Sequence, residues 1–307
     1  IYIDPKRPVA VKNDPSAVAN SMLNLIDDDS EVRDVSEFMG SKFKEDNLAT
    51  SISKLQQAMK ERTGENYRFV PEGKEAPEGL PENLVVLQQP LDHIYMAATA
   101  IMSLVDAVDA IDQIKFSGVN ASGWYVEDAK KAMESGDMIY AGKYSEPDYE
   151  LLVSENCDLA IESTMILHSP KVQEMIEMLD IPVFIDRSSY ESQPLGRTEW
   201  IKLYGAMLDK EEEAADFFAS QASVVENLKD FQNTEKTVAF FYINTSGAAV
   251  VRNPEDYISN MIELGGARNA FRDLQDDSGK TSVPITMEQF YDTTEDADYL
   301  IYNASID

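Results

Sequence analysis

From residue 84 onward, short apolar runs alternate with stretches in which apolar residues recur every three or four positions. LVVLQQ (84–89) predicts a buried strand, and PLDHIYMAATAIMSLVDAVDAI (90–111) a helix with Pro90 in its first turn. QIKFSGV (113–119), DMIYAG (137–142), CDLAIES and IPVFIDRS (181–188) predict further strands. Between them, YVEDAKKAMESG reads as a helix closed by Gly136, and PKVQEMIEMLD as the helix before the last strand. Strands alternating with helices imply right-handed crossovers and a mainly parallel sheet.

Residues 194–231 break this rhythm. Trp200, Leu203, Tyr204, Met207 and Leu208, then Ala214, Phe217, Phe218 and Ala222, keep helical spacing far beyond the length of a crossover. One long helix with a break near Asp209–Lys210 is expected to bridge two sheets. TVAFFYIN (237–244) opens the second sheet, SNMIELGG is a helix, and DYLIYN (298–303) another strand. Two phrases repeat one order. SEPDYELLVSENCDLAIEST (145–164) and VPITMEQFYDTTEDADYLIYNAS (283–305) each run through a turn, a helix cap, an apolar helix face and an apolar strand ending in polar residues. Before residue 67, DPSAVANSMLNLIDD and ATSISKLQQAMKERTG read as amphipathic helices capped by Asp14 and Thr50, and VPEGKEAPEGLPEN (70–83) as a linker. The expected fold class is α/β, with two Rossmann-like lobes of mainly parallel sheet joined by a long interlobe helix, plus an N-terminal helical segment. The expected divisions are 1–82 (helical extension and linker), 83–193 (first lobe), 194–232 (interlobe helix) and 233–307 (second lobe).

Composition narrows the function. The 307 residues suffice for two cores, and 43% hydrophobic content marks a globular chain. A net charge of −30 argues against nucleic acid, which needs a basic footprint, and against an anionic lipid surface. Cys157 is the single cysteine, expected as a buried packing thiol; with only His93 and His168 as histidines, a multi-histidine metal site is excluded. No apolar run reaches the roughly 18 residues of a membrane span. There is no phosphate-binding glycine loop, and no nucleophile–base pair supports an enzyme.

The order of motifs resembles the substrate-binding proteins of ABC transporters for iron–siderophore, haem and cobalamin uptake. NLVVLQQPLDHIYMAATAI, PDYELLVSENCDLAIES, VQEMIEMLDIPVFID, TEWIKLYGAMLDKEEEAADFF and TVAFFYINTSGAAVVRNPEDYISNMIELGGARNAF follow that family's sequence of elements over about 83–307. The resemblance implies a non-catalytic, monomeric receptor outside the cytoplasm, lipid-anchored through a segment absent from this chain. It would have no intrinsic cofactor and no protein-held metal. Its ligand would be an iron complex, haem or corrinoid, and its partner a permease dimer. That family presents one acidic knob per lobe to the permease, a position occupied here by Glu150 and Glu288. Further elements after 298–303 are also implied, so the second lobe is expected to be incomplete in this chain. The alternatives are a two-lobed enzyme or cofactor scaffold, or an interaction module built on the N-terminal helices.

In open α/β sheets ligands lie at the carboxyl ends of strands. On the first lobe this nominates Asp92 and His93 after strand one, with Gln89 and Leu91, then Tyr144 with Lys143 after strand three. Ser163, Thr164 and Met165 follow strand four, and Arg187 and Tyr190, with Ser188, follow strand five. On the second lobe it nominates Tyr242, Asn244, Thr245, Arg252 and Tyr302, with Asn303. Arg187 stands between two roles, a carboxylate's partner or a contact for an anionic ligand. Arg252 has the weaker claim. His93 stands between a ligand contact and a hydrogen-bonded structural histidine. His168 is expected on a loop, and the first-turn carboxylates of Glu150 and Glu288 also suit their helix termini.

Overall fold

The structure, a computed structural model, describes residues 66–76, 84–227, 233–276 and 280–303. The helices expected before residue 66, with their caps at Asp14 and Thr50, lie outside the described residues. The chain forms two compact units. Among the described residues, the first comprises 66–76, 84–190 and 198–219, and the second comprises 191–197, 220–227, 233–276 and 280–303.

In the first unit, β1 (Asn66–Val70) and β2 (Leu84–Gln88) form a parallel two-stranded ribbon. Its Tyr67 hydroxyl donates to Val183 O at 3.1 Å, and its ring lies 5.3 Å from that of Phe184. The main sheet holds β3 (Ile94–Met96), β4 (Phe116–Ser117), β5 (Ile139–Tyr140), β8 (Leu159–Ser163) and β9 (Val183–Asp186) in the order β5-β4-β3-β8-β9, all parallel. Between β5 and β8 a short hairpin, β6 (Gly142–Lys143) and β7 (Glu146–Pro147), leads into a helix. The helices are α1 (Met102–Ala107), α2 (Glu127–Ser135), α3 (Tyr149–Ser154) and α4 (Pro170–Glu177). Gly136 closes α2 at φ 87°, a left-handed conformation that costs glycine nothing. One face of the sheet buries Tyr95, Phe116, Ala160, Val183 and Ile185 against Leu152 of α3 and Ile176 of α4.

The sequence pattern misplaces the first strand of this sheet. LVVLQQ is a strand, but it belongs to the ribbon; the sheet begins at Ile94–Met96, inside the segment read as one helix from 90. Three fully buried residues show no alternation, so periodicity absorbed them into the helical pattern that follows.

Helix α5 (Pro194–Met207) and helix α6 (Glu211–Glu226) replace the single long helix. The break falls at the expected place. Asp209 turns at φ 58°, and Lys210 N donates to Gly205 O at 2.7 Å. Gly205 is required here because a Cβ would lie 2.5 Å from Ala214 Cβ of α6. Gln89 Nε2 caps Ala206 O and Met207 O at 3.0 and 3.3 Å, and Gln113 Nε2 caps Leu208 O at 3.0 Å, which satisfies carbonyls that a helix end leaves open.

The second unit has a mixed sheet. β10 (Lys236–Ile243) pairs in parallel with β12 (Ala267–Asn269) and β14 (Tyr299–Tyr302), and antiparallel with β11 (Ala249–Arg252), which pairs antiparallel with β13 (Ser282–Ile285). Helix α7 (Tyr257–Leu264) starts at the Asp256 cap, and α8 (Met287–Thr294) at a Thr286–Gln289 capping box. Ala239, Val251, Phe271, Ile285 and Phe290 form its core. Among the described residues no helix is long and apolar enough to cross a membrane.

Candidate functional site

The first unit's strand order reverses direction between β3 and β8, the point at which such sheets open a crevice beyond their carboxyl ends. Backbones approach closely there. Ala97 N and Ala98 N both donate to Ile161 O, at 2.9 and 3.0 Å, and Gly118 N to Met96 O at 2.8 Å. A Cβ on Gly118 would sit 2.9 Å from Ala97 Cα, so the turn beyond β4 accepts no larger residue. Ser117 Oγ receives Trp124 Nε1 at 3.0 Å and fixes the loop that presents Tyr125, which is 85% exposed.

At this same end stand Tyr144, in the β6–β7 turn, half-buried Ser163 and Thr164, exposed Met165, then Arg187 and exposed Tyr190. Ser163 Oγ accepts from Met165 N at 3.3 Å and so caps the 3₁₀ turn that follows β8. The Arg187 guanidinium is half-buried, and its Nε has no hydrogen-bond partner among the described residues. The adjacent Asp186 is otherwise engaged. Its carboxylate accepts from Ser188 N, Ser188 Oγ and the Tyr204 hydroxyl at 3.2, 2.9 and 2.7 Å.

Two candidates stand elsewhere. Asp92 and His93 precede β3, at the amino end of the sheet, because the strand they were expected to follow is not part of it. Asp158 Oδ2 accepts from Asp92 N and His93 N at 3.2 and 3.0 Å, and His93 Nδ1 lies 2.8 Å from Asp92 Oδ1. These three side chains bring ligand-type atoms within 4.8 Å of one another, but the Asp158 oxygen is already an acceptor for the backbone. His93 is thus hydrogen-bonded as a structural histidine. Beside Asp92 a cavity of about 330 Å³ opens between Gln89–Leu91, Gln113 and the α5–α6 turn. His168 is exposed at the end of the 3₁₀ turn.

In the second unit, Tyr242, Tyr302 and Asn303 are exposed at the shared carboxyl end of β10 and β14. Asn244 is committed to its own turn, with Oδ1 accepting from Ser246 N, Ser246 Oγ and Ala248 N at 3.0, 2.7 and 2.9 Å; Thr245 is exposed beside it. Arg252 runs the other way because β11 is antiparallel. It lies near Phe240, 5.7 Å from the ring centroid, and its Nε is 3.7 Å from Asp256 Oδ1. Glu150 and Glu288 are both exposed in the first turns of α3 and α8.

The sequence reading missed Glu162, a fully buried carboxyl on β8. A charged residue inside the apolar run LAIES is the signal that marks it. Ala97, Gly118 and Tyr125 also escaped, because small residues and a loop tyrosine carry no pattern of their own.

This arrangement is the fold of periplasmic solute-binding proteins, and the resemblance read from the motifs is borne out at that level. A periplasmic binding protein from Veillonella parvula matches at a TM-score of 0.56 with 18% identity, covering 70% of this chain and 72% of that one. The petrobactin-binding protein of Bacillus subtilis matches at 0.54 with 17% identity, covering 69% and 70%. A periplasmic haem-binding protein of Vibrio cholerae matches at 0.53 with 19% identity, covering 68% and 75%. In sequence, an uncharacterised lipoprotein of Methanocaldococcus jannaschii is 26% identical over 239 residues, 75% of this chain but only 56% of that protein. No protein-family profile matches the chain.

Proposed function

We propose that this chain is the extracytoplasmic, non-catalytic substrate-binding component of an ABC importer, and that it captures a metal chelate (a ferric siderophore, haem or corrinoid) and delivers it to a permease dimer. The single observation that carries this reading is Arg187: a half-buried guanidinium at the carboxyl end of β9, its Nε unbonded, while the neighbouring carboxylate is held by other donors. A half-buried guanidinium whose Nε has no hydrogen-bond partner among the described residues, in a chain of net charge −30, is consistent with a site kept for an anion. Tyr144, Met165 and Tyr190 at the same end supply apolar and aromatic surface for a planar body. The lipoprotein relative supports a lipid anchor, and the periplasmic binding proteins that share the fold support a place outside the cytoplasm.

Calorimetry with haemin, a ferric siderophore and cyanocobalamin tests the reading; binding of none of them would sink it. With the probe that binds, Arg187→Ala is expected to weaken affinity by about 1.5–3 kcal/mol, the worth of a charge-assisted contact. The thermal midpoint of the unliganded protein should stay unchanged. A large fall in that midpoint with intact affinity would make Arg187 a structural residue instead.

A further inference from the structure

Strand β8 carries a buried carboxyl group. Glu162 is 0% exposed, and neither Oε1 nor Oε2 has a hydrogen-bond partner among the described residues. Register shows what surrounds it. Glu162 pairs with Ile185 on β9. On the other side Tyr95 pairs with Ala160, so two residues further on Ala97 is level with Glu162. Gly118 abuts Ala97, and Ala141 N donates to Ser117 O at 3.0 Å. One row across the sheet therefore reads Ala141, Gly118, Ala97, Glu162, Ile185. Three positions with nothing beyond Cβ lead to one carboxyl.

The groups facing it are Tyr95 from β3 and Tyr149 from the first turn of α3, with Tyr140 and Cys157 beside Tyr95. Ile166 and Ile176 close the same core from the 3₁₀ turn and α4. Tyr95 spends its hydroxyl on Gly142 O at 2.9 Å. Burial is the cause that raises the Glu162 pKa to about 8, with no opposing cation among the described residues. Burial also raises the hydroxyls of Tyr95 and Tyr149 and pushes the Cys157 thiol up to about 12. Glu162 is thus the group of this cluster that changes charge near neutral pH.

We propose that Glu162 is a proton-controlled switch at the carboxyl end of β8: a neutral acid inside the folded unit whose ionisation loosens the Ser163–Thr164 turn that follows it. An ion at this position has no hydrogen-bond partner among the described residues, and burying an unpaired charge is costly. Half-buried Ser163 and Thr164 follow Glu162 directly in the chain, so opening that turn is how the charge reaches solvent. The state of a strand end at the sheet's reversal point then depends on pH, whatever ligand binds there.

The linkage has a definite sign. The folded pKa stands above the unfolded glutamate value of about 4.3, so the folded unit holds a proton that the unfolded chain releases. The contribution to stability is complete at low pH and is lost as pH rises toward about 8. Urea unfolding of the full chain between about pH 5.5 and 8.5 reads it, alongside amide exchange at Ser163–Ile166 corrected for intrinsic rate. Relative to Glu162→Gln, the wild-type folding constant should fall roughly tenfold per pH unit up to about pH 7.5, the slope of one linked proton, and level off above about pH 8. Exchange at 163–166 should rise with pH in the wild type alone. Parallel pH profiles, or equal exchange in the two proteins, would overturn the proposal. If the Gln variant does not fold, Glu162→Leu serves the same comparison. Infrared spectra of the wild type with ¹³C-labelled glutamate give a further arm: a neutral-acid carbonyl band at pH 6 supports the switch, and an already ionised Glu162 at that pH refutes it.

Discussion

Asp186 and Glu162 stand on adjacent strands, one register step apart and on opposite faces of the sheet. The Asp186 face meets α5, where Tyr204 and the Ser188 turn supply three donors to its carboxylate. The Glu162 face meets apolar side chains and the rings of Tyr95 and Tyr149, and among the described residues it supplies no donor. The Asp186 carboxylate anchors the loop that begins at Arg187, whereas burial without donors raises the Glu162 pKa. Tyr204→Phe removes the 2.7 Å bond to Asp186 without changing the ring. The expected loss is about 1.5–3 kcal/mol, because the remaining partner is charged and buried. A lower urea midpoint with unchanged slope would show it, and an unchanged midpoint would mean that Tyr204 contributes packing alone. Arg187 depends on the same anchor, so its loop should exchange amide hydrogens faster in the variant.

At the scale of elements, the phrase repeated in the sequence has a structural purpose. In the first unit, α3 begins at the Asp148 cap and leads to Asp158, whose carboxylate receives the amides of Asp92 and His93 before β8 pairs in parallel with β3. In the second, α8 begins at Thr286 and leads to Asp298, which receives Thr237 N at 2.9 Å and Lys236 Nζ at 2.6 Å before β14 pairs in parallel with β10. Each aspartate ties the incoming strand to the start of its parallel neighbour. Parallel strands share no tight turn, so their register needs such a pin. Asp158→Ala orphans two amides and is expected to cost about 1–3 kcal/mol, with faster exchange at Asp92 and His93 than at β9. Equal exchange at both places would show that Asp158 does not hold the register. The pattern also hid an element. Ile94–Met96 is too short and too uniformly buried to show a period of two, and only its pairing with β4 and β8 reveals it.

For the whole molecule, the prediction concerns the permease. Glu150 and Glu288 project from equivalent helix starts, one in each unit, and both are exposed. On the proposed reading each meets a cationic pocket on one permease subunit. A single exposed ion pair is worth about 0–1 kcal/mol, so neither would hold alone, but two made together gain through effective concentration. Glu150→Lys and Glu288→Lys should each sharply reduce uptake by cells while ligand affinity of the isolated protein stays within about twofold. Normal uptake by both variants would leave the two glutamates as helix-terminus carboxylates.

What the sequence determined by itself is what depends on nearest neighbours and periodicity. The repeated cap–helix–aspartate–strand phrase, the Gly136 terminus, the break at Asp209–Lys210 and the strands at 159–163, 183–186, 236–243 and 299–302 all appear where local pattern places them. Tertiary structure decided what depends on partners distant in the chain. Pairing removed 84–88 from the main sheet and so carried Asp92 and His93 to its amino end. The antiparallel course of β11 turned Arg252 away from the carboxyl end of β10, and a turn consumed the oxygen of Asn244. The same rule separates the two carboxyls of β8 and β9. A sequence shows that a glutamate or aspartate is present, but only the fold shows that Ser188 and Tyr204 donate to Asp186 while, among the described residues, no donor reaches Glu162.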